Sequence, residues 1–347
     1  EILARQHFRR ISDWLSILGI PVHLLTGSLP NTHREEVLAE IASGKPCITV
    51  GTHTLIQKTV RFGKLAAVVV DEQHRFGVLQ RGALTGKGDH PHVLVMTATP
   101  IPRTLTLSVY GDLAFSVIDE LPPGRTPTVT SYLRNPDDPR LAEFISEETA
   151  KGGRVYWVCP VIEESDKLPL MPVIRRHEML SKRFPREKIG ILHGQLPSEE
   201  RQATMDMFDR GDLSILVSTT VVEVGLDVRD ATVIVIEDAH RFGLSQLHQL
   251  RGRVGRGGAG GFCFLVGKPG TEDGKARIEA MCSSSDGFGI AEKDLVLRGP
   301  GEICGVRQHG ITDFRVADLV KDRRLLEEAR EDAFSLIASD PALSGYP

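Results

Sequence analysis

The chain has 347 residues, 41% of them hydrophobic and 25% charged, with a formal net charge of −4. That length supports two domains with cores of their own, and the composition excludes a disordered tail. No apolar run approaches the roughly 20 residues a membrane span needs, no secretory leader is visible, and the acidic balance argues mildly against nucleic acid, although a local basic track would suffice for one.

From Glu1 the chain reads as a helix already under way. Thr26–Thr52, TGSLPNTHREEVLAEIASGKPCITVGT, predicts a helix opened by a capping box of Thr32 and Glu35 and stopped at Gly44. The apolar strand ITV follows and ends in hydroxyl residues, among them Thr52. A second strand, AAVVV, ends in Asp71 and Glu72, and a third, from His92, ends in Thr97-Ala98-Thr99. Glu120–Val129, ELPPGRTPTV, has the proline and glycine of a linker and places a boundary near Pro123.

His193–Thr219, HGQLPSEERQATMDMFDRGDLSILVST, repeats the first stretch without a gap: Gly27 aligns with Gly194, Pro30 with Pro197, Arg34 with Arg201, Gly44 with Gly211, Ile48 with Ile215 and Thr52 with Thr219. Its helix opens at Ser198. After a slip of one residue, DEQHRFG at Asp71–Gly77 aligns with EDAHRFG at Glu237–Gly243. Continuous apolar strands alternating with helices imply parallel sheets covered on both faces, so the fold class is α/β, with two related domains in tandem. Past Lys268 glycine-rich segments and a charged helix replace the strands. The resulting division is 1–122, 123–268 and 269–347.

Buried parallel strands present their last residues at the carboxyl edge of the sheet, where ligands of open α/β sheets bind. Asp71 there would hold Mg²⁺ through water, and Glu72 would orient or deprotonate an attacking water; the plainer alternative is a solvated acidic turn. Thr97 and Thr99 would lie beside them, or only cap the next helix. In QLHQLRGRVGRG, Gln246–Gly257, Arg253 and Arg256 are three apart on a helical pattern and would share one face, suited to charge neutralisation on a transferring phosphoryl group. A surface basic patch or a DNA-backbone contact is the competing reading. Within VSTTVVEVGLDV, Thr219 and Thr220 offer hydroxyls and N–H groups to a nucleic-acid phosphate, and Glu223, Gly225 and Asp227 could face a nucleotide; a simple strand-to-helix connection would account for the segment equally well. Gly255-x-Gly257-x-x-Gly260 mimics a dinucleotide fingerprint but precedes a strand rather than following one, and is rejected. The cysteines, Cys47, Cys159, Cys263, Cys282 and Cys304, are scattered and read as small buried hydrophobes.

In their order, DEQH, TATPIPRTL, STTVVEVGLDV and QLHQLRGRVGRG resemble superfamily 2 helicases. DEQHRFGVLQR, VIDELPPGRTP, YWVCPVIEES and the tail SDGFGIAEKDLVLRGPGEICGVRQHG resemble the RecG family in particular. The resemblance implies two tandem RecA-like domains, the first incomplete, plus a C-terminal helical-hairpin and loop translocation region. It implies ATP and Mg²⁺ between the domains, with Asp71 and Glu72 on one side and Gln249, Arg253 and Arg256 on the other. His74 would sense the nucleotide, Thr52 and Thr219 would make matched DNA-backbone contacts, and Arg277, Arg298 and Gln308 would couple ATP to DNA movement. The implied substrate is branched duplex DNA, forks and Holliday junctions, in recombination and repair. The implied setting is the bacterial cytoplasm and nucleoid, as a monomer, with single-stranded DNA-binding protein as a further partner. No G-x-x-x-x-G-K-S/T occurs in the sequence, so the resemblance places that loop, and the family's fork-recognising wedge, upstream. These residues alone are then expected not to hydrolyse ATP. A non-catalytic DNA-binding role, or a translocase like the transcription-repair coupling factor, is the alternative.

Overall fold

The computed structural model describes residues 1–72, 84, 86–98, 114, 116–118, 120, 122, 125–160, 171–220, 228–258, 260–298 and 322–345. Contacts divide the chain into two compact units, the first carrying Glu1–Ala98.

The first unit opens on α1 (Ile2–Leu15), which packs across β1 (Val22–Leu25) and β2 (Ile48–Gly51), a parallel pair connected through α2 (Asn31–Ala42). A second parallel pair joins β3 (Ala67–Val70) to β4 (His92–Val95). Leu25 of β1, Val37 and Ile41 of α2 and Val60 form the unit's small core, on the side of the first pair. β3 buries only Val68 and Val70, while Val69 is 60% and Leu94 of β4 55% exposed. One face of this pair is therefore uncovered.

In the second unit, six strands form one fully parallel sheet: β5 (Val129–Leu133), β6 (Arg154–Val158), β7 (Ile189–Leu192), β8 (Ile215–Ser218), β9 (Ala231–Ile236) and β10 (Phe262–Val266). Their spatial order is β5-β10-β9-β6-β8-β7. Every residue of β8 and β9 is buried, as apolar runs covered on both faces require. The connecting helices are α3 (Pro139–Ala150), α4 (Met171–Arg183), α5 (Ser198–Arg210) and α6 (Leu244–Arg251). Leu141 and Ile145 of α3 and Val173 and Leu180 of α4 pack with Val155, Trp157, Val233 and Val235 in the main core, each fully buried aliphatic contributing about 1.5–3 kcal/mol. Downstream lie α7 (Glu272–Ser283), α8 (Gly287–Arg298) and α9 (Arg323–Ser339). Asp138 caps α3 by accepting from Arg140 N at 2.9 Å, and Thr271 caps α7 by accepting from Gly274 N at 3.1 Å.

The repeat survives in three dimensions, with one local correction. α2 and α5 start on Pro30 and Pro197 as their N-caps, at φ −55° and −51°, and neither cap residue makes a side-chain cap bond. The capping box of Thr32 and Glu35 does not form, because both already lie inside the helix. The proline ring sets the turn into the helix instead. At the far ends Gly44 and Gly211 both adopt positive φ, 72° and 84°, the left-handed stop that glycine permits. Cys159 and Cys263 are fully buried, and burial raises both thiols, that of Cys263 to about 12; Cys282 is exposed and departs from the expectation, while Cys304 lies outside the described residues.

Candidate nucleotide and nucleic-acid site

In the first unit, β3 delivers Asp71 and Glu72 to the carboxyl edge of the strand pair. Val70 pairs with Val95, and Met96 N donates to Val70 O at 2.8 Å. Thr97 therefore lies two residues past the last paired residue of β4, as Glu72 does on β3. Asp71 is held at both oxygens: Glu72 N donates to Oδ1 at 2.8 Å, and His7 Nε2 of α1 donates to Oδ2 at 3.2 Å. Glu72 is 9% exposed and sits at φ +53°, a left-handed conformation that costs a non-glycine residue energy and is concentrated at functional sites. Thr52 follows β2 and caps the next turn, its hydroxyl hydrogen-bonded to that of Thr54 at 3.2 Å. His74 and Thr99 lie outside the described residues.

In the second unit, Thr219 follows β8 with its side chain buried, and its N–H donates to Leu192 O at 3.3 Å. That N–H is taken by the sheet and is not available to a phosphate, which leaves the neighbouring, half-buried Thr220 as the better-placed contact. Glu223, Gly225 and Asp227 lie outside the described residues. Gln249 lies on α6. The helix stops at Arg251 with Gly252 as its cap, and Gly255 turns the chain at φ +74°. Arg253 and Arg256 therefore sit in the turns past the helix, which corrects the expectation of a shared helical face. Arg253 is 7% exposed, and Arg256 Nε donates to Gly252 O at 2.9 Å.

The residue that sequence reasoning passed over is Arg251, 4% exposed. Its Nη1 donates to Met281 O at 3.1 Å and Ser284 O at 2.7 Å, and its Nη2 donates to Ser285 O at 3.2 Å and His248 Nδ1 at 2.9 Å. Burial, and then the Arg251 charge, push the His248 pKa down to about 4, so the ring is a neutral acceptor. Ser245 of α6 donates to buried Asp294 of α8 at 3.0 Å, and Arg277 of α7 donates to His240 O at 3.3 Å. α6, which leads into the arginine-bearing turn, is thus fastened to the α7–α8 hairpin through Arg251 and Ser245. Arg298 closes α8, and Gln308 lies outside the described residues.

The repeat counterpart of Asp71 has a different fate. Glu237 ion-pairs with Arg176 and accepts from Trp157 Nε1, while Arg176 also reaches Asp137 Oδ1 at 3.0 Å and lies over the Trp157 ring at 5.4 Å. Burial raises the Glu237 carboxyl against the opposing pull of Arg176. This acid is locked into the wall of the sheet.

Comparison with known proteins agrees with this layout. Residues 1–108 match the DEAD/DEAH box helicase model, 139–258 the helicase conserved C-terminal domain, and 284–345 the C-terminal part of domain 3 of ATP-dependent DNA helicase RecG. The ATP-dependent DNA helicase RecG of Synechocystis is 51% identical over 100% of this chain and 42% of its own length. That of Bacillus subtilis is 49% identical over 98% of this chain and 50% of its own. A structure of RecG bound to a three-way DNA junction superposes with a TM-score of 0.71 at 44% identity, covering 94% of this chain and 42% of that one. The chain thus spans about half the length of the curated relatives it matches. With the ordered motifs, the duplicated parallel-sheet units and these matches in agreement, the chain belongs to the RecG family and carries that family's tandem RecA-like helicase fold.

Proposed function

We propose that these residues form the motor portion of an ATP-dependent translocase that acts on branched duplex DNA. The observation that carries the reading is the acidic edge of β3, with the half-buried Asp71 oriented by His7 and the buried Glu72 held in a left-handed turn. Its support from outside the chain is the 44% identical RecG bound to a three-way junction.

Two hard carboxylates suit Mg²⁺, a cation that keeps several waters and takes its remaining ligands from nucleotide phosphates. Asp71 would hold it through water; when bound, Mg²⁺ supplies charge neutralisation for phosphoryl transfer. Glu72 orients or deprotonates the attacking water, while Arg253 and Arg256 stabilise charge on the transferring group. Gln249, Glu223, Gly225 and Asp227 position the nucleotide, and His74 reports its state. Thr52 and Thr220 hold the DNA backbone, a mode blind to base sequence, so substrate choice follows DNA shape, while Thr219, buried with its N–H on Leu192 O, anchors Thr220 to the sheet. Thr97, Thr99, Arg277, Arg298 and Gln308 couple nucleotide state to DNA movement. We assign these roles to 1–122, 123–268 and 269–347 as acidic wall, arginine wall and coupling region.

The test is strand separation of a three-way junction by the gene product that carries these residues. Asp71→Asn should abolish ATP-driven separation and leave junction binding intact, and removing Mg²⁺ should do the same. Junction separation that survives Asp71→Asn would overturn the assignment.

A further inference from the structure

The repeat predicts that the second unit should have an edge equivalent to the acidic one, and it does, with altered chemistry. Asp238, the counterpart of Glu72, shares its left-handed backbone, φ +45° against +53°. The first acid of the pair, Glu237, is taken by Arg176 and Trp157. Beside this turn lies an open pocket of about 530 Å³ lined by Arg134, Asn135, Asp238, His240, Arg241 and Lys268, with Pro136 and Gly267 completing its wall.

Three features of the pocket suit a phosphate. Arg134, Arg241 and Lys268 bring three cations against the one carboxylate of Asp238, and among the described residues none of the three is in an ion pair. The left-handed Asp238 runs into a short 3-10 turn, Ala239–Arg241. Among the described residues the N–H groups of Asp238, Ala239 and His240 find no acceptor, although Ala239 is fully buried. Successive N–H groups in such a turn form a concavity that accepts anions, and buried N–H groups rarely stay unpaired. The turn is also held firmly. A side chain on Gly267, at φ +140°, would stand 3.0 Å from Asp238 Cα and 3.2 Å from His240 Nδ1, and one on Gly274 would meet His240 Cβ at 3.2 Å.

We propose that this pocket binds a phosphate group, with Arg134, Arg241 and Lys268 as its cationic donors and the 238–240 turn as its backbone cradle. The proposal rests on the second unit alone and stands whether or not the motor reading holds. A pocket of this volume is in the range of small-ligand sites, so the phosphate comes from a free phosphoanion or from a nucleic-acid backbone.

The test titrates pyrophosphate into the full 347-residue chain by calorimetry, in low-salt buffer free of phosphate and sulfate. The wild type should bind it, and the triple variant Arg134→Gln, Arg241→Gln, Lys268→Gln should bind about tenfold more weakly or worse. All three side chains are exposed, so a thermal melt should match the wild type; if it does not, Lys268→Gln alone is used and should still weaken binding. A control triple at the exposed Lys182, Arg186 and Lys188 of the same unit should keep the wild-type affinity. A linear duplex then separates the sources. Equal loss of duplex affinity in the pocket variant assigns the phosphate to a DNA backbone, and unchanged duplex affinity assigns it to a free phosphoanion. No binding by the wild type up to millimolar pyrophosphate, unchanged affinity in the pocket variant, or equal weakening in the control would overturn the proposal.

Discussion

Replacing Arg251 by methionine isolates the fastening between α6 and the α7–α8 hairpin. The guanidinium serves three carbonyls and one imidazole from a position 4% exposed. A buried acceptor that loses its donor costs about 1–3 kcal/mol. Met281 is buried and bears the full cost, Ser284 is half-buried, and Ser285 is exposed, so water can serve its carbonyl in the variant. Part of the loss is offset, because burial already opposes the Arg251 charge and methionine removes that opposition. The balance is about 2–4 kcal/mol of destabilisation, read by urea denaturation of the second unit. Arg251→Lys should recover less than half, since an ammonium cannot reach four acceptors from one planar fork. A second readout is specific to the geometry: with the charge gone, the His248 pKa should rise from about 4 but stay below its usual value, because burial, the larger cause, persists. A loss under about 0.5 kcal/mol together with an unmoved His248 titration would refute the reasoning.

The same histidine gives the second unit a pH dependence. Its folded pKa of about 4 lies below the usual 6.5 of a free histidine. The unfolded chain therefore binds the proton more readily, and stability present above pH 6.5 is lost as pH falls toward 4, by up to about 3 kcal/mol. Denaturation midpoints measured across that window should fall, and His248→Gln should remove most of the slope. Hydrogen exchange should find the first unit less protected than the second, because β3 and β4 leave Val69 and Leu94 exposed whereas β8 and β9 are buried throughout; equal protection would count against the account. The 347 residues alone, which contain no G-x-x-x-x-G-K-S/T, should show no DNA-stimulated ATP turnover. Turnover that Glu72→Gln abolishes would contradict this.

The sheet elements were legible because β8 and β9 are unbroken apolar runs closed by polar residues, and because the repeat sets each strand against a sister. The repeat also carried information it was not asked for, since Glu72 and Asp238 share a strained backbone that composition cannot reveal. Helix ends were less legible. At Pro30 a fixed φ outweighs the side-chain signal of Thr32, and Gly252 and Gly255 end the helical periodicity before Arg253 and Arg256 can share a face. His7 with Asp71, and Arg251 with Met281, were hidden for a different reason. These contacts join residues far apart in the chain, and a single sequence holds no signal for which distant side chains meet.

The proposed function requires that the acids after β3 and the arginines after α6 act on one triphosphate. Steady-state ATP hydrolysis by the junction-bound gene product, with Glu72→Gln, Arg256→Ala and the double variant side by side, tests it most directly. Each single change should lower kcat by about a hundredfold or more with DNA affinity unchanged, and the double variant should be little worse than either, as groups serving one transition state are strongly non-additive. Losses that multiply independently, or wild-type turnover in either single variant, would contradict it.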